Sequence, residues 1–256
     1  MSAATPSPMQ PRSRDISSVA IPAALIALAA IGWWWSARMA ASMSMNMGMD
    51  MAAALSLASF LIAWVAMMVA MMFPAVLPVA RLYARAAAAG PVAPVPIFLA
   101  GYLIVWTVIG LPAFFIWRSL AGPLAMGALW AGRLAGVVLI AAAIYQLTPL
   151  KSACLRHCRT PMSFFMRYGN RLDRPLGALQ IGVVHGAFCL GCCWALMAVL
   201  VAFGTMQLWW MVGLAVLIFV EKNVRWGEQA ARVSGAGFAL LGVLLLAYPA
   251  FISHLV

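Results

Sequence analysis

From Met43 to Met51 every second residue is methionine, in the stretch MSMNMGMDM, with Ser44, Asn46, Gly48 and Asp50 in between. Thioether sulfur is an uncharged, polarisable ligand that suits Cu(I), whereas Mg, Ca and Mn take oxygen. In an extended segment alternate residues project to one side. Met43, Met45, Met47, Met49 and Met51 would then line one edge, with Asp50 beside them as a charge that attracts a cation. Methionine ordinarily fills gaps in a core, but small polar residues in every intervening place are not what a packing surface requires.

Three more sets of soft ligands accompany this stretch. In WVAMMVAMMFP, Met67/Met71 and Met68/Met72 are two i,i+4 pairs, which stack on one helix face and let neighbouring thioethers share or pass an ion. In HGAFCLGCCWALM, His185, Cys189 and Cys192 fall within about 60° of one another on a helical wheel, and Cys193 lies about 80° from His185. An ionisable group within hydrocarbon is costly unless partnered and marks function by default. The third set, Cys154, His157 and Cys158, sits in LTPLKSACLRHCRTP. Its basic neighbours Lys151, Arg156 and Arg159 are expected to favour the thiolate that a metal needs. The spacing is not that of a zinc finger. All five cysteines and two of the three histidines thus fall into two clusters, and His254 stands apart.

The elements that must position these groups are membrane helices. Of 256 residues 66% are apolar and only 8% charged, a balance foreign to soluble domains of this size. Seven runs approach the roughly 20 residues that span a bilayer core: residues 19–40, 51–73, 95–117, 132–148, 176–203, 206–220 and 233–255. The sixth is short and is expected to continue through Glu221 toward Trp226, or to be tilted or re-entrant. Pro74, Pro78, Pro91, Pro94 and Pro96 bracket the second connection, where helices should end or kink. Residues 1–18, rich in Pro and Ser, read as a disordered tail. Residues 19–256 read as one transmembrane helical domain, an all-α polytopic bundle of about seven helices, with a Met-rich outer loop 41–51 and a basic inner loop 149–175.

The net charge of +11 is topology information rather than a nucleic-acid surface, because the basic residues are spread between apolar runs. With the N-terminus inside, thirteen of the sixteen Lys and Arg residues lie on the cytoplasmic side, and only Arg38, Arg118 and Arg133 lie outside. That orientation places the Met-rich loop and the C-terminus on the outer face. Counting along the fifth run puts Cys189 near the bilayer midplane. Glu221, the one carboxylate expected to be buried, is read as paired with Lys222 or with Arg225 at i+4, with proton coupling as the alternative.

At AMMVAMMFP, YQLTPLKSACLRHCRTP, the stretch from Gly182 through GCCWALM, and FVEKNVRWG, the chain resembles a family of bacterial multi-pass integral membrane proteins predicted to bind metal, a domain of unknown function. The resemblance covers most of residues 50–230 and implies a Met/Cys/His constellation in a multi-helix membrane protein. The Met-rich loop and the MxxxM spacing are locally similar to the trimeric copper transporters of eukaryotes, which have three helices rather than seven.

The leading reading is a Cu(I)-binding protein of the bacterial inner membrane. The outer Met loop would capture the ion, the Cys/His face of the fifth run and the Met pairs of the second would relay it, and Cys154/Cys158 would release it. The chain reads as a transporter or metallochaperone rather than an enzyme. No nucleotide-binding Gly-rich loop is present, and five acidic residues are too few for an ATP-driven pump. The alternatives are a membrane thiol or metal redox enzyme, or a copper chaperone or assembly factor for a membrane cuproenzyme without net transport. The expected partners are lipid, the metal ion, and a copper chaperone or membrane cuproenzyme. Nucleic acid is not expected, and homo-oligomers remain open. Zn at the Cys/His clusters and haem on the histidines fit less well than Cu(I).

Overall fold

A computed structural model describes residues 12–45, 56–89, 94–126, 128–160, 174–203 and 207–254. These form eight α-helices and a short 3-10 helix. The helices are α1 (Arg12–Met45), α2 (Leu57–Ala89), α3 (Val95–Ala125), α4 (Leu129–Gln146), α5 (Pro149–Arg159), α6 (Pro175–Phe203), α7 (Leu208–Asn223) and α8 (Gly227–Ala247), and the 3-10 turn is Pro249–His254. Among the described residues there is no strand.

Six helices are long and apolar enough to cross a membrane: α1, α2, α3, α4, α6 and α8. Their outer surfaces carry large apolar side chains such as Ile62, Phe115, Ile144, Val233 and Leu240 in the open, as a bilayer-facing surface requires. The protein is therefore a multi-pass membrane protein. The run at 206–220 forms α7, which is only 16 residues long. It stops at Asn223 instead of running on to Trp226. Val224 adopts an extended conformation as C-cap, and Gly227, which opens α8, lies so close to the Glu221 carbonyl that a side chain there would collide with it. The expected count of about seven becomes six full-length candidates and one shorter helix.

Several boundaries also differ from the sequence reading. Helix α1 begins at Arg12, inside the stretch read as tail, because the proline-rich composition ends at Pro11. The same helix runs through Met45. Met43 and Met45 thus stand in helical backbone and not in an extended segment. Met47, Met49 and Met51 lie outside the described residues. Helix α2 passes through Pro74 and Pro78 to Ala89, so Met67–Met72 fall before its middle. Membrane helices tolerate such prolines when neighbours satisfy the freed backbone; next to the Pro74 carbonyl that Pro78 leaves without its helical partner, Asn223 Nδ2 donates to the Ala75 carbonyl at 3.4 Å. Finally, the region read as a loop at 149–175 contains α5. Thr148 caps it by accepting the Lys151 N–H, and Pro149 stands at its start, the arrangement that favours helix initiation.

Helix packing divides the molecule by length. With 33, 31 and 29 residues, α2, α3 and α6 are about 44–50 Å long at 1.5 Å per residue. At 18 and 16 residues, α4 and α7 are about 24–27 Å. Helix α6 is the most enclosed of the set and touches α3, α4, α5 and α7, while α1 lies against α2 and α8 against α4. Glycine makes the α3–α6 contact possible: a Cβ on Gly101 would strike the Leu179 carbonyl, and one on Gly182 the Phe98 carbonyl. The short α4 and α7 end level with the middle of α6. Tyr145, near the end of α4, donates to the Gly191 carbonyl, and Lys222, near the end of α7, reaches Cys189. The step between long and short helices is filled by α5.

Candidate metal centre

Four helices meet at that step. Helix α6 contributes Cys189, Cys192 and Cys193, each about 1% exposed, and α5 contributes Cys158, also buried. Cys158 Sγ lies 3.8 Å from Cys192 Sγ. Cys192 and Cys193 both donate to the Cys189 carbonyl, at 3.1 and 2.8 Å. Lys222 of α7 donates from Nζ to Cys189 Sγ at 2.9 Å, and Tyr102 Oη of α3 lies 3.0 Å from the same sulfur. Four helices thus converge on one pair of α6 turns. The level is the last turn of α7, not its middle, because α6 extends well past the shorter helices.

The other sequence candidates surround this junction unequally. His185 is buried one turn before Cys189, with the rings of Phe98 and Tyr102 at 5.9 and 6.0 Å between centroids. Tyr102 therefore stands next to both His185 and Cys189. Cys154 is half-buried beside Gly191, where an added Cβ would come within 2.7 Å of its Sγ. His157 is exposed and stacks on Phe188 at 4.1 Å. Met67, Met68, Met71 and Met72 are buried in the core on α2, which packs on α1, α3 and α7.

Charge at the junction is arranged differently from the sequence expectation. Glu221 pairs with neither Lys222 nor Arg225. Its Oε2 accepts from Lys151 Nζ of α5 at 2.7 Å, with both side chains 2% exposed. Gln146 completes the set by donating from Nε2 to Glu221 Oε1 at 3.1 Å and to Ser234 Oγ at 3.0 Å, and by accepting from Lys151 Nζ. Adjacent residues on a helix point about 100° apart, so Glu221 faces α4 and α5 while Lys222 faces α6. The expected lowering of the α5 thiols also does not occur. The Cys192 hydrogen bond and burial hold Cys158 well above the ordinary thiol range, and burial followed by the Cys192 charge raises Cys154. Of the basic neighbours expected to lower them, Lys151 is engaged with Glu221, and Arg159 with the carbonyls of Val224 and Arg225; Lys222 acts to lower Cys158 but is outweighed.

The donor set is suited to a particular class of ion. Among the described residues no three His, Cys, Asp or Glu side chains stand grouped as a closed cage. Structural zinc takes four such ligands. A soft monovalent ion is satisfied by two sulfurs. Metal–thiolate bonds of about 2.3 Å would place two sulfurs about 4.6 Å apart across a linear ion, ~0.8 Å more than the 3.8 Å between Cys158 and Cys192. A shift of α5 smaller than an ångström would admit it. Sequence reasoning named the four sulfurs, but it gave Lys151 as a charge beside the thiols and Lys222 as a partner of Glu221, whereas Lys151 pairs with Glu221 and Lys222 reaches Cys189. It did not name Tyr102 or Gln146, which carry no local signal.

No curated protein and no solved structure matches the chain. A family model described as PpoB2, copper chaperone, matches residues 61–245, a span that contains the whole of the α5–α6–α7 junction and well over half of the sequence. The chain belongs to the PpoB2 copper chaperone family.

Proposed function

We propose that this membrane protein is a Cu(I) chaperone. It holds its ion between the thiolates of Cys158 and Cys192, has Cys189 and Cys193 as alternative ligands, and delivers the ion to a membrane cuproenzyme. The observation that supports this most is the 3.8 Å sulfur pair joining the short helix α5 to the middle of α6. Cu(I) prefers such soft sulfur ligands, whereas Cu(II) favours nitrogen and oxygen in tetragonal geometry. Cu(I) between two thiolates leaves one net negative charge. In a buried site that charge needs a partner, and Lys222, held against Cys189, supplies it.

The Lys151–Glu221–Gln146 network fixes α5 to the ends of α4 and α7 and so sets the reach of Cys158. Delivery runs through α5. Cys154 lies one turn before Cys158 and is partly exposed, so the ion can exchange from a buried thiol to a more accessible one, with His157 beside it. The excess of basic residues at this end of the bundle supports a cytoplasmic position for it in a bacterial inner membrane, with the connection after α1 outside.

Reconstituted vesicles distinguish delivery from transport. With Cu(I) outside and an impermeant Cu(I) chelator inside, the protein is expected to retain a bound ion and produce no accumulation; sustained uptake abolished by Cys192→Ser would replace the chaperone by a transporter. The Cys158–Cys192 pair is also the observation on which a thiol redox enzyme would stand. Cysteines that are protected from alkylation while Cu(I) is bound and recovered as free thiols once it is chelated away support the metal reading, and a disulfide between them that cycles during turnover overturns it.

A further inference from the structure

A second cluster of sulfurs lies at the other end of α7, away from the thiols. Met39 of α1, Met67 of α2 and Met211 of α7 line one small cavity together with Trp35, Ser36 and Trp64. Met67 and Met211 are 4% and 1% exposed, and Ser36 is buried. The cavity has a volume of about 10 Å3, room for one water-sized body. Of the residues that line it, only Ser36 carries a side-chain oxygen. A hard cation, which needs several oxygens, is not served there. Three methionines from three separate helices do serve a soft one, and the indoles of Trp35 and Trp64 in its wall are groups of the kind that attract a cation. Trp64 is held in place by donating from Nε1 to the Trp106 carbonyl at 2.9 Å.

We infer that the Met39–Met67–Met211 cavity is a separate binding site for a soft monovalent cation, Cu(I) or its analogue Ag(I), and that it is the port through which the thiol junction is loaded. Its position supports the second half of this. Helix α1 continues into the Met-rich stretch, which opens at Met43, four residues beyond Met39, about 6 Å along the helix. Helix α2 packs on α7, and Met71 is one turn past Met67 on the same face of α2, fully buried. One further turn brings Ala75, whose carbonyl meets Asn223 beside Lys222. Thioethers therefore step along the α2–α7 contact from the cavity toward the level of Cys189. The loading role rests on the chaperone reading; the existence of the site does not.

The two are separated by labelling the protein with selenomethionine, adding one equivalent of Cu(I) after another, and recording copper X-ray absorption. Thiol ligands give Cu–S scattering and methionine ligands give Cu–Se. To silence the Met-rich stretch, Met43, Met45, Met47, Met49 and Met51 are changed to Ser in all samples. The expected result is Cu–S scattering from the first ion and Cu–Se scattering from the next, with the Cu–Se contribution lost in the Met39→Leu/Met67→Leu/Met211→Leu protein while Cu–S is unchanged. Met211→Leu alone, which keeps the volume, should reduce the Cu–Se amplitude if the triple exchange folds poorly. Absence of Cu–Se scattering, or its persistence unchanged in these variants, overturns the cavity site. Absence of Cu–S scattering with Cu–Se retained removes the chaperone reading and the loading role but leaves the cavity site standing.

Discussion

At the α5–α6–α7 junction the sulfurs are surrounded by polar partners: Lys222 and Tyr102 on Cys189, the Cys189 carbonyl on Cys192 and Cys193, and Cys192 on Cys158. About 16 Å away along α7, Met39, Met67 and Met211 share the wall of a cavity with Trp35, Trp64, Phe60, Ala63 and Ser36. The contrast follows from the ligands. A thiolate is charged, so in a buried place it must be given a counter-charge and hydrogen bonds. A thioether is neutral and needs neither, so it can line a cavity within an otherwise apolar core. Charged ligands bind a cation tightly, and neutral ones bind it weakly enough to pass it on. On the proposed reading, a port of thioethers leading to a store of thiolates would set the direction in which an ion moves.

The largest expected effect breaks the thiol side alone. In Cys158→Ser/Cys192→Ser, high-affinity Cu(I) binding should disappear in competition with a chromogenic chelator, while the expected methionine site persists. Equal loss of both classes would show that they are one site. Next comes the frame around the thiols. Lys151→Met leaves Glu221 buried without its partner, and should destabilise the protein by about 3–5 kcal/mol in denaturant unfolding in detergent. Lys151→Met/Glu221→Leu should recover much of that loss, because no charge is left uncompensated.

A smaller effect tests the counter-charge. Lys222→Met should weaken Cu(I) binding by about 10- to 100-fold, the range for residues that support metal ligands, and Lys222→Arg should restore part of it. An unchanged affinity in Lys222→Met would remove the charge argument that separates the two regions. The smallest effect is expected from Met39→Leu/Met67→Leu/Met211→Leu at the thiol site. Volume-conserving exchanges cost less than about 1.5 kcal/mol each, so stability and thiol affinity should stay close to those of the parent protein while the rate of loading from free Cu(I) falls.

The sequence carried what lies along a single helix. Spans follow from hydropathy, and Cys189, Cys192 and Cys193 share a face because of helical period. Pairings between helices were hidden. Glu221 looked like the partner of its neighbours at i+1 and i+4, yet its ion pair is 70 residues away in Lys151, and no local rule reports such a contact. Helix α5 was legible in part: Thr148 and Pro149 are a cap and a first-turn proline, but the basic composition of the stretch pointed to topology instead. The cavity was hidden for the same reason as the ion pair. Met67 stood out as a member of one of two i,i+4 pairs, while nothing in the sequence linked it to Met39 or Met211, which only packing of α1, α2 and α7 brings together. The alternation at Met43–Met51 suggested an extended edge, but the apolar and small residues before it carry α1 on to Met45.

The central claim is that a buried pair of thiols from α5 and α6 holds Cu(I), and copper X-ray absorption on the purified protein loaded with a single equivalent tests it most directly. The account predicts a Cu(I) edge with short sulfur-only coordination that vanishes in Cys158→Ser/Cys192→Ser. A protein that retains no Cu(I), or a spectrum that is the same in that variant, would contradict it.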